Sequence, residues 1–179
     1  MSEAFTERYD VPFVAIANGI EPSEWPNATL KSVSKKIVVR YAGSLAENMT
    51  LSSVRLVAEA VQRLADDGLD ISFEIKTREL WHQSAHPHFK GLSRTTFIVA
   101  DMERLDYQAW LSAADVLVIG YNFDEESKAY IQYSLANKLP ECLASGAALL
   151  AIGPRDVATI KLLDYLDCGL RVTTNDVEV

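Results

Sequence analysis

"DVLVIGYNFDEESKAYIQYSLANKLPECLASGAALLAI", residues 115–152, decides the fold. It opens on DVLVIGY (115–121), apolar on both faces, and closes on AALLAI (147–152), a second short apolar run. Runs of this kind are strands buried on both sides. Between them lie FDEESKAYIQY (123–133), a short helix or ordered loop, and NKLPECLAS (137–145), a helix that stops at Gly146. Strand, helix and strand with short links predict parallel neighbours in one sheet.

The same alternation runs outward in both directions. Upstream, KKIVVRYAG (35–43) is a β-branched strand closing on Gly43. In LSSVRLVAEAVQRLADDG (51–68), Leu51, Val54, Val57, Ala58, Val61 and Leu64 share one helical face, with Thr50 placed to cap it and Gly68 to stop it. LDISFEIKT (69–77) alternates as a strand, RELWHQSA (78–85) is a short helix ended by Pro87, and TTFIVA (95–100) is a strand. RLDYQAWLSAA (104–114) is a helix with Leu105, Trp110, Leu111 and Ala114 turned inward. Downstream follow a helix in DVATIKLLDYL (156–166) and a last strand in GLRVTT (169–174). VPFVAIAN (11–18) predicts a first short strand ending at Asn18-Gly19, and residues 19–34, with Pro22 and Pro26, a loop. The fold class is α/β, a Rossmann-like doubly wound parallel sheet. The expected division is a junction segment over residues 1–34 and a Rossmann-like domain over 35–179. The final VTTNDVEV stops without a closing helix, so the domain is expected to be truncated there.

Composition narrows the function classes. Of 179 residues, 49% are hydrophobic and 23% charged, which is a globular balance. The net charge of −8 argues against a general nucleic-acid surface. Cys142 and Cys168 are far apart and form no C-x-x-C, which fits a reducing cytoplasm without a disulfide framework or zinc site. The start, MSEAFTERYD, has no signal layout, and no apolar run is long enough to span a bilayer.

Ligands of such sheets bind at the carboxyl ends of the strands. The candidate lips are therefore residues 43–50, 101–104, 121–137 and 153–156. His82, His86 and His88 crowd HQSAHPH, but Pro87 interrupts them and no further ligand is spaced to complete a metal site. The acidic run Asp124–Glu126 reads as a solvated helix start. YAGSLAENMT (41–50) has neither G-x-G-x-x-G nor P-loop spacing and reads as a plain strand-to-helix turn. SLANKLPECLASG (134–146) is richer. Ser134 is placed to cap a helix whose first turn holds Leu135, Ala136 and Asn137, with Lys138 next and Glu141 one turn on. Amides plus lysine suit a phosphate, and a carboxylate suits a pair of sugar hydroxyls. On chemistry alone, a ligand site and a polar helix end packed beneath the sheet are equally good readings.

NKLPECLASGAALLAIGP (137–154) resembles the nucleotide-sugar-binding segment of GT-B-fold glycosyltransferases, in particular the retaining family 4 (group 1) enzymes. IANGIE (16–21) is similar to that family's interdomain junction. VVRYAGSL (38–45) is similar to the strand and glycine loop opening its C-terminal domain. LSAADVLVIGYNFDEE (111–126) is similar to the helix and strand before its donor loop. The resemblance spans about residues 11–173, and only the 133–154 block is specific. It implies a nucleotide-sugar (NDP-sugar) donor as substrate, with no cofactor and no metal. Glu141 would bond the ribose, backbone around Ser134–Asn137 would hold the diphosphate, Gly43 and Ser44 would lie near it, and Asp101 and Met102 would sit by the base. Two departures stand out. Tyr133 occupies the position of the family's first acid, which touches the donor sugar. Ser44 and Met49 occupy the positions of its diphosphate-binding Arg and Lys. The resemblance implies glycosyl transfer in the full-length protein, to a glycan or lipid-linked acceptor and in polysaccharide biosynthesis. The expected partner is the protein's own N-terminal GT-B domain, and no nucleic acid. The fragment alone is expected to be inactive and cytoplasmic, with any peripheral membrane attachment coming through the missing domain. A catalytically degenerate interaction module is the alternative. A sugar-nucleotide epimerase half is a weaker third reading, because no acid–base pair stands over the sugar position.

Overall fold

A computed structural model describes residues 2–25 and 36–175. The apolar runs form six strands: β1 (Ile37–Ala42), β2 (Ile71–Lys76), β3 (Thr95–Ile98), β4 (Val116–Gly120), β5 (Ala148–Ile152) and β6 (Leu170–Val172). They make one sheet in the order β3-β2-β1-β4-β5-β6, and every pairing is parallel. The chain winds outward from β1 to β3, then returns to the other side of β1 with β4. At that reversal Val39 lies level with Phe73 on one side and Val116 on the other. The carboxyl ends of β1 and β4 therefore flank the crevice where this architecture receives ligands.

Helices cover both faces, which is why the strands read as continuous apolar runs. One face carries α2 (Leu51–Asp66) and α3 (Glu79–Ala85). There Val54, Val57, Ala58 and Val61 pack against Val39, Tyr41, Phe73 and Ile75. The opposite face carries α4 (Arg104–Ser112), α6 (Leu139–Ala144) and α7 (Ala158–Tyr165) over Leu117, Ile119, Leu149 and Ala151. Each fully buried side chain of this size contributes about 1.5–3 kcal/mol. A short α5 (Glu125–Ile131) leaves the end of β4. Asp124 caps it, accepting from the Ser127 amide at 2.8 Å, so the acidic run is a helix start as its charge pattern predicts.

Several expectations are corrected. Residues 11–18 form no strand and lie outside the sheet, with Val14 85% and Ile16 94% exposed. Their apolar pattern is strand-like, but the run pairs with neither edge strand of the sheet, β3 or β6. The preceding residues form a helix, α1 (Ser2–Tyr9), which buries none of its side chains. Of the expected 19–34 loop, Pro22–Glu24 is one 3-10 turn, Trp25 is buried in the second core, and residues 26–35 lie outside the described residues. Leu64 on α2 is exposed while Ala65 is buried, because the buried stripe drifts one residue by the fourth turn. Leu105 on α4 is 75% exposed, and Gln108 takes its place inside.

Candidate functional site at the carboxyl edge

The loop after β1 is shaped by hydrogen bonds that leave little freedom. Tyr41 Oη and Thr50 Oγ1 both donate to the Ser44 carbonyl, at 2.6 and 2.7 Å. A Cβ on Gly43 would lie 2.8 Å from Tyr41 Oη, so only glycine fits that close approach. Thr50 therefore does not cap α2. Asn122, buried at the end of β4, does so from across the crevice. Its Oδ1 accepts from the Ser52 and Ser53 amides at 3.0 and 3.3 Å, and its Nδ2 donates to the Glu47 carbonyl at 2.7 Å. The first amides of α2 are thus taken up within the protein. Among the described residues, the amides of Ser44 to Asn48 meet no hydrogen-bond partner.

The second half of the site lies between α5 and α6. Residues 135–137 are not a helical turn, and Ser134 caps nothing. The Ser134 amide donates to the Ile131 carbonyl at 3.0 Å, and α6 starts only at Leu139, with Lys138 at its N-cap. Pro140 sets this boundary, because it is tolerated only in a first helical turn. The Ala136 amide is also occupied. It donates at 2.9 Å to Thr159 Oγ1, a buried hydroxyl of α7 that also meets Tyr121 Oη at 2.9 Å. Among the described residues, the amides of Leu135, Asn137 and Lys138 have no partner. Three donors with no acceptor beside an ammonium group favour an anion.

Glu141 sits in the first turn of α6, held by two neighbours. Lys138 Nζ lies 3.2 Å from its Oε2, and Tyr107 Oη donates to the same oxygen at 3.3 Å. The Lys138 ammonium also stands 4.8 Å from the Tyr107 ring centroid. Tyr107 belongs to the first turn of α4 and stacks on Trp110, with centroids 6.3 Å apart. Trp110 is itself fixed. Its Nε1 donates to Glu74 Oε2 at 3.1 Å, the Arg40 guanidinium covers its ring at 4.9 Å, and Arg40 binds both Glu74 and the Trp110 carbonyl. Burial pushes the Tyr107 phenol well above its ordinary range, and the Glu141 carboxylate adds to this. It stays a protonated donor. Behind it, burial pushes the Cys142 thiol up to about 12, which leaves it unreactive at neutral pH.

The sequence-nominated residues thus fall into groups. Glu141 and Lys138 make one ion pair, and Asn137 accepts from Asn18 Nδ2 at 3.1 Å. Tyr133 lies under the N-terminal segment, its ring edge-on to Phe5 at 6.0 Å. Gly43 and Ser44 belong to the loop on the neighbouring strand end, and exposed Asp101 and half-buried Met102 follow β3. His82 and His86 pack on Phe97 at 5.0 and 5.8 Å, and no cluster among the described residues could hold a metal. Lys128 pairs with Asp156 at 2.9 Å. Tyr107, Asn122 and Thr159 were not foreseen. Asn122 lies within the 121–137 lip and Tyr107 about one turn beyond the 101–104 lip, whereas Thr159 carried no signal in its position.

No family model matches the chain, and no curated protein does either. Solved structures do. WaaG, a glycosyltransferase involved in lipopolysaccharide biosynthesis, matches 98% of this chain with 48% of its own, at 15% identity and a TM-score of 0.66. The fold is that of one half of a GT-B glycosyltransferase. An E. coli trehalose-6-phosphate enzyme, solved with UDP-2-fluoro glucose, matches 89% of the chain with 40% of its own (12% identity, TM-score 0.62). Anabaena Alr3699/HepE, solved with UDP-glucose, matches 80% with 36% of its own (13% identity, TM-score 0.56). This GT-B-like domain therefore spans half or less of the proteins it matches. Among its described residues no helix is long and apolar enough to cross a membrane.

Proposed function

We propose that this domain binds the NDP-sugar donor of a glycosyltransferase, as the C-terminal half of a GT-B enzyme of the family 4 (group 1) type. One observation carries the reading. The unpartnered amides of Leu135, Asn137 and Lys138 stand next to a Lys138–Glu141 pair on the carboxyl edge of the sheet. In this reading the amides and Lys138 receive the diphosphate, Glu141 receives the ribose hydroxyls, and the free amides of the 44–48 loop add donors on the other side of the crevice. Asp101 and Met102 border the base. The domain's contribution to catalysis is to hold the charge that builds on the leaving diphosphate. No metal or cofactor is required. Transfer would proceed with retention, in polysaccharide biosynthesis, to a glycan or lipid-linked acceptor. The facing wall would come from the protein's own N-terminal domain. The exposed apolar residues of the 11–16 run are in keeping with such a contact. The cytoplasm is the fitting compartment, with the inner membrane face reached through the other half.

Titration of the domain with UDP and with GDP tests the site. Glu141→Ala should weaken binding at least about tenfold, the range of a lost charge-assisted pair of hydrogen bonds. Absence of binding at millimolar nucleotide, or an unaffected variant, sinks the assignment.

A non-catalytic interaction module is the competing reading. Tyr133 favours it, since a phenol packed edge-on against Phe5 stands where the resemblance expects a carboxylate, and so do Ser44 and Met49 where basic residues would bind phosphate. Transfer or hydrolysis by the full-length protein with even one donor from an NDP-sugar panel eliminates this reading.

A further inference from the structure

We infer that Lys138 is an exchangeable plug on Glu141, which leaves the carboxylate for the diphosphate when a nucleotide enters and so couples the two halves of the ligand. The inference rests on the donor-site reading above. Its starting point is saturation of one oxygen. Glu141 Oε2 already receives Tyr107 Oη at 3.3 Å and Lys138 Nζ at 3.2 Å. A carboxylate oxygen accepts about two such bonds. A vicinal diol binds a carboxylate through both oxygens, so one of the present partners must give way.

The two partners are not equally free to leave. Tyr107 is stacked on Trp110, which Glu74 and Arg40 hold in turn, and its half-buried hydroxyl has no other acceptor among the described residues. Withdrawing it would break the stack on Trp110 and leave a half-buried donor without its protein partner. Lys138 has a side chain 45% exposed, and its ion pair is of the half-solvated kind that holds weakly. It is also the residue whose own amide lies unpartnered beside those of Leu135 and Asn137. An anion drawn to those amides offers the ammonium a second partner within reach of the same stem. Lys138 moves, Tyr107 stays, and Glu141 is freed while still oriented from behind.

The exchange predicts a pattern that simple charge loss does not. The nucleotide that binds, UDP or GDP, is titrated beside its 2′-deoxy form against the unaltered chain, Lys138→Met and Lys138→Arg. Lys138→Met should weaken both nucleotides about tenfold, the effect of losing one charged contact to a phosphate. At the same time its preference for the ribose over the deoxyribose form should rise, by about threefold, because the diol no longer has to displace an ammonium. Lys138→Arg should restore most of the affinity. An unchanged or reduced ribose preference overturns the exchange, since it would mean that Lys138 only positions Glu141. Undiminished affinity overturns the diphosphate as its destination. If the unaltered chain binds neither nucleotide, the donor-site reading itself fails and takes the inference with it.

Discussion

At the residue scale, the groups that shape the site reach it from distant parts of the sequence, and single side chains carry large local effects. Asn122 is the clearest case. It is one residue after a tyrosine in a strand-end loop, yet it caps a helix 70 residues earlier and ties down the Glu47 carbonyl. Asn122→Ala removes the acceptor for two amides and opens a buried polar hole. The loss should be about 2 kcal/mol, combining a lost cap with the lost hydrogen bond to the Glu47 carbonyl, read as a lower urea midpoint with an unchanged slope. Thr159→Val is a finer probe, because it keeps the volume and removes only the hydroxyl that serves Ala136 and Tyr121. It should cost about 1–3 kcal/mol. It should also loosen the 134–136 backbone, seen as faster hydrogen exchange at Ala136. None of these pairings is legible in the sequence, because a hydrogen bond between residues far apart leaves no periodic trace.

At the element scale, most of the architecture was legible. Strands buried on both faces announce themselves as apolar runs, and β1, β4 and β5 fall where VVRYA, VLVIG and ALLAI place them, while β2 falls where the alternation of ISFEI places it. Gly146 was legible as a helix stop and takes φ +76° just after α6. Gly146→Ala should therefore destabilise by about 1 kcal/mol, measured by thermal or urea unfolding. The start of α6 was harder. Ser134 reads as a cap, but Pro140 competes with it, and the proline prevails because a helix begun at 135 would place it beyond the first turn. That boundary matters for function, since it leaves the Leu135, Asn137 and Lys138 amides outside any ladder. The helix-face errors at Leu64 and Leu105 have a common cause. An amphipathic pattern fixes the stripe only to within a residue, over the long α2 by drift and over the short α4 by its few turns, and the partner strands decide the rest.

At the scale of the whole molecule, the strand order puts the functional edge in one place, and the charge on that edge sets a response to acid. The Ser127 amide and hydroxyl hold the Asp124 carboxyl below its ordinary range, and hydrogen bonding to Lys128 does the same for Asp156. A carboxyl whose folded value is lowered binds protons less readily than in the unfolded chain. Its contribution is present above the unfolded value, near 3.8 for aspartate, and is lost as pH falls through the folded one. Lys128 is raised by the same partner, so its contribution is complete at neutral pH and fades only in strong base. Both aspartates are solvent-exposed, so each effect is small. The melting temperature should accordingly be flat near neutrality and decline below about pH 4. Asp156→Asn should flatten that decline without much change at pH 7, and an unaltered acid limb would show that other carboxyls govern it.

The N-terminal segment separates from this core in a way that unfolding can measure. Residues 2–18 contribute no buried side chain, whereas Trp25 is buried among Leu111, Leu139 and Ile160. The segment's contacts are an aromatic cluster of Phe5, Tyr9 and Phe13 on Tyr133, and the Asn18–Asn137 hydrogen bond, all at the surface. Deleting residues 2–18 should thus shift the urea midpoint by no more than about 1 kcal/mol, the scale of a few exposed contacts. It should also reduce binding of a hydrophobic dye, because Val14 and Ile16 leave with it. Trp25→Ala should cost about 3–5 kcal/mol, as truncation of a large buried aromatic does. If the deletion instead proved as damaging as the tryptophan variant, the segment would belong to the cooperative core. The exposed apolar run would then need a folding role within this chain rather than a contact beyond it.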